Sequence, residues 1–266
     1  AVRPTRRILK SIMLSVKLAK AVGKGHLSYS SIKYALQDMR LWEMYMRGQL
    51  RKESPALAFG SMYDCMLFTP EDFEKQFAIL NDKEKCDEIG GRAPKMTNKY
   101  KAWVKDYEED AVERGVMLVS EEDYKKSLEM IERLKITGVY DKYLVGDYQH
   151  EFNEEINGCP VRGFLDCLGT DYVSDSKSTM SLDKFRYNVF SFGYDIQAYI
   201  YMEVLKKEKF YWVAQEKAYP FAIGVYQASD ETLQSGADKF NKAVDRINYY
   251  LDNKKETDTF FKSGII

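Results

Sequence analysis

The chain has 266 residues, 45% of them hydrophobic and 30% charged, with a formal net charge of −1, and is long enough to bury a sizeable core in one large domain. It contains no run of 18 apolar residues, which excludes a membrane-spanning helix. Its four cysteines, Cys65, Cys86, Cys159 and Cys167, lack C-x-x-C spacing, so neither a zinc site nor a disulfide framework is indicated and reduced thiols are expected.

The small net charge conceals a strong polarity. Residues 1–55 hold 12 Lys and Arg against 3 Asp and Glu, a balance of +9, which leaves −10 for the remaining 211. A basic segment of this kind is the electrostatic footprint expected for a phosphate backbone. Its first part, residues 1–25, is basic, amphipathic and free of acidic residues. DNA or partner contact is the favoured role there, with a membrane-surface helix and a targeting segment as alternatives. A helix is expected over 28–47, bearing Arg40 and Arg47, with Arg51 and Lys52 just beyond it. These four are phosphate-contact candidates, and a solvated helix face is an equal alternative. Among the 20 tyrosines and 3 tryptophans, Tyr29, Trp42 and Tyr45 are the candidates for base stacking, because they lie within the basic segment.

Further helices are expected at 56–68, 70–77, 97–114 and 121–136. The stretch 81–96 between them, with Gly90, Gly91 and Pro94, is expected to be a mobile loop. Then Asn157-Gly158 stands between E-F-N-E-E-I and C-P-V-R-G-F, the strongest short-range signal for a two-residue type I′ hairpin. Its register sets Glu151 opposite Phe164 and Glu154 opposite Val161. Residues 159–168 and 172–178 form a second predicted hairpin around Thr170 and Asp171, which sets Asp166 opposite Asp175, with side chains roughly 5 Å apart. Period-2 alternation brings Lys177 to the same face. Two carboxylates and an ammonium are the minimum set for holding a divalent metal against a phosphodiester and activating a water. Glu151, on the Asp166 side, is a further acidic candidate. Helices at 181–190 and 194–207 follow, then strands at 210–218 and 221–228 with a turn near Pro220, and a last helix at 230–252. Gln197 and Tyr201, four residues apart, share a helical face.

In chain order, L-S-Y-S-S-I-K, F-G-S-M-Y-D (59–64), V-R-G-F-L-D (161–166), S-D-S-K-S-T (174–179), G-Y-D-I-Q-A-Y-I-Y (193–201) and W-V-A-Q-E-K-A-Y-P-F (212–221) resemble the PD-(D/E)XK nuclease superfamily. The resemblance is closer to its RecE-like exonuclease branch (exonuclease VIII), related to the RecB-type nuclease domains, and runs from about Leu27 to Leu251. It implies an α/β fold with a central mixed sheet flanked by helices, as in restriction endonucleases, and a helical N-terminal region. The nuclease domain would span 26–266, with a helical lobe at 26–145 and a catalytic core at 146–252.

The resemblance further implies metal ligation by Asp64, Asp166 and Asp175. The family usually has a histidine where this sequence has Asp64, but a carboxylate also suits the expected Mg²⁺ or Mn²⁺. The alternative for Asp64 is a helix cap or a structural hydrogen bond. Lys177 would position or activate water, Gln197 and Tyr201 would lie beside the active site and touch the substrate backbone, and Tyr194 in the same motif is a DNA-contact candidate. Some RecB-like relatives hold an iron-sulfur cluster on cysteines near the C-terminus. No cysteine follows Cys167 here, so no cluster is expected. The implied activity is 5′ to 3′ degradation of linear duplex DNA to expose single strands for recombination. A ring-like homo-oligomer, a single-strand annealing partner and a cytoplasmic location in a bacterium or phage-infected host are implied with it. The alternatives are a single-strand-specific or structure-specific nuclease, and a non-catalytic DNA-binding subunit of the same fold.

Overall fold

The computed structural model of the chain describes residues 6–50 and 54–253, with side chains from Met13 onward. Helix α1 (Arg6–Val22) is not a detached arm: its Leu14, Leu18 and Val22 are buried in the larger hydrophobic core. Where one helix is predicted over 28–47 there are two, α2 (Tyr29–Gln37) and α3 (Met39–Met46). Asp38 causes the break. Its backbone is extended, at φ −160° and ψ 134°, and its carboxylate accepts a hydrogen bond from the Arg40 N–H, so it caps a new helix. Helix α4 (Pro55–Phe68) starts where the Ser54 side chain accepts from the Leu57 N–H and Pro55 occupies the first turn, both favourable helix starts.

The predicted 70–77 helix resolves into a 3₁₀ turn, Pro70–Asp72, and the short α5 (Phe73–Gln76). Strand β1 (Phe77–Leu80), helix α6 (Lys83–Ile89) and a second 3₁₀ turn, Pro94–Met96, lead into α7 (Asn98–Arg114). The stretch 81–96 is therefore not a structureless loop. Tyr100 and Lys95 both bind Asp82, and Lys99 pairs with Glu88 at 2.6 Å. Strand β2 (Met117–Ser120) pairs with β1 in parallel, a two-stranded sheet that the sequence did not announce. Helices α8 (Glu121–Ile136) and α9 (Val139–Tyr143) complete the first half.

The second half builds the main sheet. Strands β3 (Asp147–Ile156), β4 (Cys159–Leu168) and β5 (Tyr172–Thr179) are followed by α10 (Phe185–Ser191), α11 (Tyr194–Leu205), β6 (Lys209–Glu216), β7 (Ile223–Gln227) and α12 (Asp230–Asp252). The five strands lie in the order β3-β4-β5-β6-β7. All neighbours are antiparallel except β5 and β6, which are parallel. A parallel pair needs a long crossover, and α10 and α11 supply it. Trp212 and Val213, neighbours on β6 and so directed to opposite faces, fall in different cores. The Trp212 face is covered by α1, α2, α11 and α12, and the Val213 face by α4, α8 and α9. The result is a mixed sheet between helical layers, as the motifs implied.

The first hairpin has the predicted register, with Glu151 opposite Phe164 and Glu154 opposite Val161. Asn157 and Gly158 both adopt positive φ, 52° and 82°, the left-handed pair that a type I′ turn requires. The second hairpin also has the predicted register but stops early. Only Cys167↔Ser174 and Leu168↔Val173 pair, one step short of Asp166 and Asp175. On the other side the β3–β4 ladder also skips Asp166, between Tyr148↔Cys167 and His150↔Leu165. Its opposite number there is Gln149, with φ of 51°. Asp166 thus stands outside both ladders.

Candidate active site

Four side chains converge above this break. Asp64 comes from α4, Asp166 from β4, and Asp175 and Lys177 from β5. Asp175 is 1% exposed, whereas Asp64, Asp166 and Lys177 are half-buried and keep a path to solvent. Lys177 Nζ forms an ion pair with Asp175 Oδ2. Asp166 Oδ2 accepts a 2.9 Å hydrogen bond from the Ser176 N–H, a donor that the interrupted ladder leaves free.

The charges are unbalanced, with three carboxylates facing one ammonium. Burial raises the Asp64 carboxyl well above the ordinary range, and repulsion from Asp166 adds to the shift while Lys177 opposes it. Asp166 is pushed up to about 7, first by burial and then by Asp175, against Lys177 and the Ser176 N–H. Asp175 is raised by burial, offset in part by Lys177 and Gln197. For Lys177, burial favours loss of the proton, but Asp175 and Asp166 more than offset it and hold the ammonium well above its usual pKa. At neutral pH Lys177 is a fixed cation and a hydrogen-bond donor.

Gln197 and Tyr201 arrive as predicted on one face of α11, but both are buried, and their polar atoms point inward. Gln197 Nε2 donates to Asp175 Oδ1 at 2.7 Å and to Tyr201 Oη at 3.1 Å, and Tyr201 Oη donates to the Phe164 carbonyl at 2.7 Å. This chain orients Asp175 rather than presenting a surface to substrate. The ring of Tyr194, also on α11, lies 5.0 Å from Lys177 Nζ.

The remaining candidates are placed elsewhere or engaged otherwise. Glu151 is exposed and pairs with Arg162 at 2.5 Å, so it does not join the acidic cluster. Arg47 binds Glu43 at 2.9 Å and the Ala21 carbonyl. Arg40 sits beside it on α3, lining a shallow concavity with Glu43, Met44 and Gln49. Arg51 and Lys52 lie outside the described residues. Trp42 is fully buried and Tyr45 packs on Tyr34 at 4.9 Å, so both serve packing rather than base stacking. Tyr29 donates its hydroxyl hydrogen to the Phe192 carbonyl at 2.7 Å, on the loop that leads to Tyr194.

Two polar residues without an expected role support the site. Gln215 is buried, accepts from Tyr63 Oη at 2.6 Å, and donates to the Met130 and Phe221 carbonyls at 3.0 and 3.3 Å. It fastens α4 beside Asp64 to β6 and α8. Asp195, with no exposure, binds Lys239 at 2.6 Å and Ser235 at 2.8 Å, fastening α11 to α12. The contact is close, since a Cβ at Gly236 of α12 would lie 2.1 Å from the Asp195 carbonyl oxygen. The sequence places both polar residues inside recognisable motifs, but burial of a Gln or Asp has no local signature.

A family model described as a PDDEXK-like domain of unknown function (DUF3799) matches residues 28–260. The chain belongs to that family. Among solved structures, a candidate exonuclease from Eubacterium rectale superposes over 100% of this chain and 97% of its own, with a TM-score of 0.59 and 17% identity. That likeness is one of fold. A phage-related exonuclease from Haemophilus somnus covers 70% of this chain and 93% of its own, at a TM-score of 0.33 and 14% identity. No curated protein matches the chain. Asp166, Asp175 and Lys177 all lie within the matched span.

The donor set suits a hard divalent cation. Its side chains offer oxygen, the preferred donor of Mg²⁺ and Mn²⁺, and the excess negative charge at a half-buried site is what a cation would neutralise. Among the described residues, however, no group of three or more His, Cys, Asp or Glu is already arranged to hold an ion. The carboxylates are close enough to repel one another without forming a closed cage.

Proposed function

We propose that the protein is a divalent-metal-dependent deoxyribonuclease, an exonuclease that degrades linear duplex DNA, with Asp64, Asp166 and Asp175 holding Mg²⁺ or Mn²⁺. The observation that carries this is the convergence of three carboxylates and a protonated lysine, from three separate elements, at a partly open site. A divalent cation bound there would polarise the phosphate and lower the pKa of an attacking water. Lys177, fixed as an ammonium, donates a hydrogen bond to that water or to a phosphate oxygen, countering negative charge as it builds in the transition state. Asp175 holds Lys177 in place. Gln197 and Tyr201 fix the carboxylate of Asp175 and act as positioning residues. The lobe 26–145 supplies Asp64, and the core 146–252 supplies the rest.

Polarity from the 5′ end, a recombination role, a ring-like oligomer, a single-strand annealing partner and a cytoplasmic setting are parts of this proposal that rest on family resemblance alone. The test sets linear duplex beside covalently closed duplex, with either strand labelled internally, under a titration of Mg²⁺ and Mn²⁺. Metal-dependent loss of the 5′-ended strand from linear DNA only is expected. Cutting of the closed circle would indicate an endonuclease, and preferential loss of the 3′-ended strand would reverse the polarity. No cleavage with any metal would make the chain a binding subunit.

A further inference from the structure

Beyond Lys177 the chain leaves the site and returns to it, exposing apolar groups on the way. Met180 is 76% exposed, Tyr187 74%, and Phe190 and Phe192 47% each, before Tyr194 comes back over Lys177. Scattered exposed hydrophobes are ordinary on a protein surface. These are not scattered: three aromatic rings fall within six residues, and Phe192 meets Tyr194 at 5.8 Å between ring centres. Phe192 therefore continues the wall of the proposed active site outward, and Tyr187 and Phe190 stand exposed on the short helix that leads into it.

The corner is also held rigidly. Phe185 is buried and stacks on Tyr226 at 4.9 Å. The Leu182 N–H donates to Glu216 at 2.7 Å. Tyr29 of α2 donates to the Phe192 carbonyl, and Lys239 of α12 donates to the Phe190 carbonyl at 3.2 Å while paired with buried Asp195. Contacts from four elements, β6, β7, α2 and α12, thus fix a segment whose aromatic side chains face water. Lys184 and Arg186 are exposed on the same segment and have no acidic partner among the described residues. Basic groups interleaved with exposed rings are the chemistry that binds an unstacked nucleic-acid strand, through phosphates and base faces together. A base-paired duplex offers no free base faces along its length.

We infer that Tyr187, Phe190 and Phe192 form a stacking platform for unpaired bases of the strand whose phosphate enters the carboxylate and lysine cluster. The site then acts on a single-stranded end, or on a duplex whose terminal pairs have opened onto the platform. This rests on the nuclease proposal for the same site, and its test is separable from cleavage. The probes are a single-stranded oligonucleotide and a duplex with a short overhang, each with 2-aminopurine in the unpaired part, against a blunt duplex, all in EDTA. Wild-type protein should quench the 2-aminopurine emission.

The Tyr187→Ala, Phe190→Ala, Phe192→Ala triple variant should abolish the quench and weaken single-strand binding about tenfold for each stacked base lost, with blunt-duplex affinity little changed. Tyr187→Phe should retain the quench. All three residues are surface-exposed, and circular dichroism is the check that the variant folds. An unchanged quench and single-strand affinity in the triple variant would overturn the platform even if the wild type cleaves DNA. The expected losses in a protein that never cleaves would sustain the platform and remove the nuclease reading. If the alanines instead abolish self-association in sedimentation at unchanged single-strand affinity, the corner is a contact between copies and the inference fails.

Discussion

Substituting Asp166 by Asn tests the electrostatic imbalance at the site without touching its shape. Asn keeps an oxygen for the Ser176 N–H and removes only the charge. In the folded protein the Asp166 carboxyl is pushed from 3.8 to about 7, chiefly by burial and then by Asp175, so between about pH 4 and pH 7 the folded state binds a proton that the unfolded state has lost. Stability from this group is fully present below about pH 4 and drains away as pH rises to about 7. A shift of roughly three units corresponds to at most about 4 kcal/mol, shared with Asp64 and Asp175, whose carboxyls are raised as well. For a domain of this size about 1 kcal/mol moves Tm by roughly 2–4 °C. In EDTA, the wild-type Tm should fall as pH rises from 4.5 to 8. The Asn variant should lie up to about 10 °C higher at pH 8 and nearly coincide with wild type at pH 4.5. Mg²⁺ or Mn²⁺ at pH 8 should raise the wild-type Tm and help the variant less. Parallel pH profiles, with the variant no more stable than wild type at pH 8, would refute the view that three crowded carboxylates strain the metal-free site.

Asp175→Asn and Lys177→Ala should each abolish hydrolysis and leave equilibrium DNA binding largely intact; a variant keeping more than about a tenth of the wild-type rate would remove that residue from the catalytic set. Asp64→Ala should raise the metal concentration for half-maximal rate, and Asp64→His should keep activity with a shifted Mg²⁺/Mn²⁺ preference. A change in stability alone would make Asp64 structural. Tyr201→Phe frees Gln197 without reaching the substrate, so it should reduce kcat more than KM, and a rise in KM alone would count against a positioning role. Gln215→Leu leaves Tyr63 and two carbonyls unpaired and should cost about 1–3 kcal/mol in urea unfolding; a loss well under 1 kcal/mol would show that the buried amide does not hold α4 to the sheet.

The grouping of the candidate residues was legible in the sequence because their register depended on local chemistry. Asn157-Gly158 admits one turn type, and from it the Glu151↔Phe164 pairing followed; alternation then placed Asp175 and Lys177 together. Helices with clear ends were equally readable: α7 and α8 open on Thr97 and Ser120 side-chain caps. Features set by distant contacts were not. Strands β1 and β2 are four residues each and pair across the whole of α6 and α7, so neither shows a pattern of its own. Glu151 stood on the correct strand, but Arg162 across the ladder claimed it. Trp42 lay among basic residues in sequence yet turns inward against Tyr250, since a helix presents neighbours in sequence to different faces. The aromatic corner after Lys177 lies outside the basic segment 1–55, whose own Tyr29, Trp42 and Tyr45 pack in or against the core.

The short β4–β5 ladder means that the two principal carboxylates are carried by different halves of the sheet. Asp175 is tied to β6 by parallel pairing along all of β5, from Tyr172 to Thr179, whereas Asp166 belongs to the β3–β4 hairpin and pairs with neither neighbour at its own position. Only two residue pairs stitch the halves together. The gap between Asp166 and Asp175 is consequently set by side-chain contacts, the Ser176 N–H to Asp166 and the Gln197 amide to Asp175, and not by a strand-to-strand ladder pair. Amides flanking the seam should exchange with solvent faster than those along β5 and β6, and a species bridging the two carboxylates would lock one half of the sheet to the other.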